Sequence, residues 1–185
     1  MIIHQTPLDG CFVIEPKVFT DLRGTFIEVF HQKDFIEKTG LDIHFVQDNQ
    51  SISKYGVLRG LHFQTGEASQ AKLVRVVNGE VLDVVVDLRT ESKTFGQYYS
   101  IKLSETNHKQ LFIPRGFAHG FVSLAEESIF SYKCDNYYNP KAEAGIHFND
   151  ATLQIDWHLP NEDLIISDKD LALPSFKEFV SWKKK

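Results

Sequence analysis

Apolar residues along most of the chain come in short runs rich in Val, Ile, Phe and Tyr, separated by turn-forming clusters. The turn signals are LDG at 8–10, DLRG at 21–24, VNGE at 77–80 and PRG at 114–116. Between them the pattern predicts strands over 11–18, 25–31, 43–52, 56–63, 71–77, 80–87, 96–103, 109–113, 119–124 and 127–134. Asn78-Gly79 joins two β-branched runs in KLVRVVNGEVLDVVVDL and reads as a hairpin turn. KDFIEKTG at 33–40 reads as a short helix ended by Gly40, and a second helical piece starts near Asp168. Beyond residue 135 the pattern weakens into long loops packed against the strands. So many short strands and so little helix predict an all-β antiparallel sandwich or barrel, not βαβ units. With no repeat, linker or low-complexity segment, residues 1–185 read as one domain.

Some residues break this pattern. YGVLRGLHFQ at 55–64 puts Arg59 and His62 inside an apolar, strand-like segment, where burial without a partner is costly. On a regular strand they would face opposite sides. Gly60 lies between them, and a bulge there turns both toward one cavity. Lys72 shares a face with Val74 and Val76, Asp83 with Val85, and Tyr132 with Phe130. If the valine-rich faces turn inward, Lys72 and Asp83 go with them. Each residue has a plainer alternative: Arg59 in a structural ion pair, His62 as a satisfied core histidine, Lys72 snorkelling to a rim, Tyr132 as core.

Composition narrows the class. The 185 residues, 42% hydrophobic and 24% charged, suit a soluble globular protein with one sizeable core. A net charge of −5 and no long basic run argue against a nucleic-acid partner, and the closing KKK at 183–185 reads as a solvated end. No segment reaches membrane-span length, and the N-terminus lacks a secretion-signal pattern. Cys11 and Cys134 are too few and too isolated for a disulfide framework, so they read as free thiols and the expected location is cytoplasmic.

LHFQ and IPRGFAHGF each supply one histidine, His62 and His119, without the three or four ligands a metal site needs. Nucleotide-hydrolysis, dinucleotide-binding and serine-nucleophile motifs are missing as well. Metal-free proton chemistry remains: a histidine base, a tyrosine acid and a lysine or arginine beside the oxyanion formed next to a carbonyl.

The blocks FTDLRGTFIEVF, FVQDNQSISKYGVLRGLHFQ, QAKLVRVVNGEVLDVVVDLR, FIPRGFAHGF, YKCDNYYNP and LIISDKD resemble the dTDP-4-dehydrorhamnose 3,5-epimerase family over about residues 8–174. The resemblance implies a cupin (jelly-roll) fold, a homodimer and catalysis without metal or other cofactor. It implies inversion of C3 and C5 of dTDP-4-dehydro-6-deoxy-D-glucose, a dTDP-linked 4-keto-6-deoxy sugar. By the same resemblance His62 is the base, Asp170 its carboxylate partner and Tyr132 the acid. Lys72 is the cation near the C4 oxygen, and Asp83 belongs to its polar network. Arg59 and His119 match residues near the sugar and diphosphate, while Phe19 stacks on thymine. Arg23, Glu28, Gln47 and Asn49 line the base and phosphate region, with Tyr138 beside the nucleotide. In dimers of the family an early strand crosses to the partner, so some of these contacts serve the neighbouring site. Two rival readings stay open: a single epimerase acting at C3 or C5 of a related sugar, and a non-catalytic carbohydrate-binding cupin.

Overall fold

The computed structural model describes residues 1–183. Of the tail read as solvated, Lys184 and Lys185 lie outside the described residues. The first strands are β1 (Ile2–Gln5), β2 (Phe12–Glu15), β3 (Val18–Asp21) and β4 (Gly24–Ile27), followed by α1 (Gln32–Thr39). Next come β5 (Gln47–Lys54), β6 (Leu58–Gln64), β7 (Lys72–Asn78), β8 (Glu80–Asp87) and β9 (Tyr98–Ser104). The remainder is β10 (Gln110–Ile113), β11 (Phe117–Ser123), β12 (Glu127–Cys134), β13 (Glu143–Gly145), α2 (Asp168–Leu171) and α3 (Phe176–Lys183).

Two antiparallel sheets form a sandwich, one ordered β1-β2-β10-β7-β12-β5 and the other β13-β6-β11-β8-β9. The predicted strand 11–18 is split at Pro16, which has no N–H to give a ladder; β3 then pairs only with β4 in a separate hairpin. One buried cluster joins the sheets, with Val74, Val76 and Phe130 from the first meeting Val81, Val85 and Phe121 from the second. Full burial of each such side chain contributes about 1.5–3 kcal/mol. Outside the first sheet, Phe35 of α1 covers Phe12 and Phe112. Outside the second, Phe148, Trp157, Phe176 and Phe179 cover Leu82, Val84 and Val86. The segment after residue 135 is therefore mostly loop, as its sequence predicts, but it carries β13, α2 and α3 and forms one wall of the core. Among the described residues no helix is long and apolar enough to cross a membrane.

Asn78-Gly79 does not make the predicted hairpin. β7 pairs with β10 and β12, whereas β8 pairs with β11 and β9 in the opposite sheet. The dipeptide is a corner between sheets. Gly79 is needed there, at φ 78°, because a Cβ would lie 2.3 Å from the Glu127 carbonyl oxygen. The local signal reports positive φ flanked by strands, a requirement that a sheet-switching corner shares with a hairpin.

The bulge predicted at Gly60 is present. His119 opposes His62 and Phe121 opposes Arg59, so three steps along β6 match two along β11. The backbones touch here: a Cβ on Gly60 would fall 2.5 Å from the Cα of Gly120.

Candidate active site

The valine-rich faces of β7 and β8 do point between the sheets and carry Lys72 and Asp83 inward. Beside them opens a cavity of about 560 Å³ lined by Arg59, His62, Lys72, His119, Tyr132 and Asp170, among others. The bulge puts Arg59 and His62 on this one cavity. His62 hangs from the second sheet and Tyr132 from the first, so a ligand between the sheets has one on either side.

His62 Nε2 lies 2.7 Å from Asp170 Oδ1, and its side chain is 29% exposed. Asp170 is buried, and its other oxygen accepts the Gly60 N–H at 3.2 Å. The segment that brings it is pinned to the start of β6: Leu58 N–H donates to the Ile165 carbonyl and Ile165 N–H to the Gly56 carbonyl. Ser167 caps α2 by accepting the Asp170 N–H. Both carboxylate oxygens are thus satisfied, and the imidazole is fixed in orientation while open to the cavity.

Beside it, His119 Nε2 lies 2.9 Å from Asp83 Oδ2; Asp83 is fully buried, and the His119 side chain, 8% exposed, reaches the cavity wall. Asp83 Oδ1 has no hydrogen-bond partner among the described residues. Burial pushes the Asp83 carboxyl above its ordinary value, against the opposing pull of His119 and Lys72. Burial likewise pushes the Lys72 ammonium down. Lys72 Nζ sits 5.8 Å from the centre of the Tyr132 ring. The Tyr132 phenol is raised, chiefly by burial, and so stays protonated at neutral pH.

The plainer alternatives fare unevenly. Arg59 forms no ion pair among the described residues; its Nε donates to Ser53 Oγ at 3.1 Å. His62 is no core histidine, being half-buried on the cavity wall. Tyr132 packs beside the inter-sheet cluster and also lines the cavity.

Gln47, Asn49 and Tyr138 border a smaller recess of about 100 Å³ that shares His62, Lys72 and Tyr132 with the main cavity. Phe19 and Arg23 lie elsewhere, on the β3–β4 hairpin around a separate depression, and exposed Glu28 lines neither cavity. Sequence reasoning missed Glu143 and Lys169. Glu143 Oε2 accepts from Lys169 Nζ at 2.7 Å and from Tyr138 Oη at 2.6 Å, tying α2 to β13 beside the site. Glu143 occurs in a segment without strand or helix periodicity; Lys169 falls in the helical piece predicted near Asp168, and the one available signal was that it immediately precedes Asp170.

Comparison with known proteins gives the same direction. The sequence profile described as dTDP-4-dehydrorhamnose 3,5-epimerase matches residues 5–178. The dTDP-4-dehydrorhamnose 3,5-epimerase of Methanothermobacter thermautotrophicus is 52% identical over 167 residues, covering 90% of this chain and 89% of the relative. The crystal structure of the enzyme so named from Elizabethkingia anophelis superposes with a TM-score of 0.93 at 55% identity, covering 96% of this chain and 97% of that one. A Legionella pneumophila dTDP-6-deoxy-D-glucose-3,5-epimerase, solved in complex with dTDP-4-keto-L-rhamnose, has a TM-score of 0.92 at 46% identity and covers 95% and 93% of the two chains. A histidine and a tyrosine on facing sheets of one cavity, and likeness along nearly the whole length, lead to one assignment: the chain belongs to the dTDP-4-dehydrorhamnose 3,5-epimerase family.

Proposed function

We propose that His62, Tyr132 and Lys72 carry the family's reaction in this chain, converting dTDP-4-dehydro-6-deoxy-D-glucose to dTDP-4-dehydro-L-rhamnose. The carrying observation is the placement of His62 and Tyr132 on opposite sheets of one cavity, beside a lysine. The imidazole of His62 takes the proton from a carbon next to the C4 ketone, and the C–H electrons move onto the C4 oxygen. Lys72 and the surrounding dipoles hold the enolate charge that forms there. Tyr132 returns a proton from the other face, which inverts the carbon. The imidazolium then gives its proton to solvent and the phenolate regains one before the second carbon reacts. Asp170 keeps the imidazole aligned and stabilises its charged form.

Arg59 and His119 meet the sugar and diphosphate, while Gln47, Asn49 and Tyr138 meet the nucleotide side. Phe19, Arg23 and Glu28 act across a homodimer, in which the hairpin of one copy completes the nucleotide pocket of its partner. The exposure of Phe19 (55%), Leu22 (107%) and Phe26 (68%) supports that reading. The fold is a jelly-roll (cupin) formed by one domain over 1–185: β10-β7-β12-β5 faces β6-β11-β8-β9, and most successive strands alternate sheets.

Incubation with the 4-keto sugar nucleotide in D₂O tests the assignment. Deuterium at both C3 and C5, with L-rhamno product after reduction, is expected. Exchange at one carbon alone would reassign the chain to single epimerisation, and exchange at neither would remove the role of His62.

A further inference from the structure

We infer that Ser53 is a positioning residue that fixes the Arg59 guanidinium for the diphosphate of the nucleotide sugar. The inference rests on the reading of Arg59 as an anion contact. Arg59 starts from β6 in the second sheet, and its Nε donates to the Ser53 hydroxyl, on β5 of the first, at 3.1 Å. Its Nη2 donates to the carbonyl of Ile52 at 3.4 Å. Both acceptors are neutral. The guanidinium is therefore held by one edge while its charge stays uncompensated by any carboxylate among the described residues, which suits a phosphate ligand.

Ser53 is itself firmly seated, at 3% exposure. It stands opposite Ser128 in the β5–β12 register. Ser128 Oγ lies 2.8 Å from Ser123 Oγ and donates to the Glu80 carbonyl at 2.9 Å. Ser123 Oγ lies 3.5 Å from the Ser53 carbonyl oxygen, and Ser123 and Glu80 belong to the second sheet. This small polar cluster ties the two sheets together where Arg59 crosses between them. With its backbone so anchored, Ser53 presents its hydroxyl to Arg59 from a fixed position, which sets the direction of the guanidinium.

Calorimetric titration with dTDP tests this on the wild type, Ser53→Ala, Ser53→Thr, Arg59→Ala and the Ser53→Ala/Arg59→Ala pair. Ser53→Ala is expected to weaken dTDP binding about 5- to 10-fold, the size of one ordinary hydrogen bond. KM should rise by a similar factor with kcat changed less than about twofold. Ser53→Thr, which keeps the hydroxyl, should restore most of the affinity. In the Arg59→Ala background Ser53→Ala should add nothing, because the group it steers is gone. Unchanged dTDP affinity in Ser53→Ala, or an equal loss with and without Arg59, would overturn the inference. If Arg59→Ala itself binds dTDP like the wild type, the anion-contact reading falls, and the role of Ser53 falls with it.

Discussion

The site contains two histidine–aspartate pairs, side by side in the β6–β11 register and built from the same atoms: Nε2 to carboxylate oxygen at 2.7 Å for His62–Asp170 and 2.9 Å for His119–Asp83. Their surroundings separate them. His62 is 29% exposed and Asp170 satisfies both its oxygens, whereas His119 is 8% exposed and Asp83 leaves one oxygen bare. A base must reach its substrate and shed its proton afterwards, so access suits the first pair to proton transfer. The second pair is set deeper: Asp83 is fully buried, burial raises its carboxyl above the ordinary value, and only His119 reaches the cavity. The same two side-chain types are thus placed in different settings by solvent access and by one backbone N–H.

The largest effect expected from this contrast comes from exchanging its members. His62→Asn should lose about 10²–10⁴-fold in exchange of the C3 and C5 protons, whereas His119→Asn should retain exchange within about tenfold. Equal losses, followed by NMR in D₂O, would erase the distinction. Lys72→Met comes next, with kcat down about 10²-fold and dTDP affinity little altered, since it acts on charge that appears only during reaction. A fall in dTDP binding alone would move Lys72 from the chemistry to the nucleotide.

Smaller effects sharpen the edges of the comparison. Phe19→Ala should raise KM about tenfold, the loss of one aromatic–base stack, while leaving deuterium exchange at saturation intact. Asp83→Asn addresses the deeper pair through stability. The folded protein holds the Asp83 proton above the ordinary value of 3.8. Ionising it therefore costs stability as pH rises through the window above 3.8, and the cost is absent below it. The melting temperature of Asp83→Asn should gain on the wild type by about 2–4 °C between pH 4 and pH 7. A constant difference across that range would show that Asp83 is not the titrating group.

Much of the site was legible because polar groups in apolar runs demand compensation. Arg59 and His62 stood out for that reason, and the parity of Lys72 and Asp83 with the valines foretold which way they face. Gly60 marked the bulge. The His62–Asp170 contact was out of reach of pattern reading, since 108 positions separate the partners and only the closure of the C-terminal segment joins them; there the family resemblance supplied the pairing. Asn78-Gly79 misled because a two-residue rule sees local dihedrals, while the choice of sheet is made by β10, β11 and β12 much later in the chain. Ser53 carried no signal at all: a serine in an edge strand is ordinary until its hydroxyl is seen to receive an arginine.

Mounting His62 on one sheet and Tyr132 on the other has a consequence for how the cavity is tuned. The gap between them is the thickness of the sandwich, about 10 Å between sheets, and that thickness is set by how Val74, Val85, Phe121 and Phe130 fill the interior. The hydrophobic core is therefore a calliper whose jaws carry His62 and Tyr132. Adding or deleting a methyl group far from any proton would open or shut its jaws.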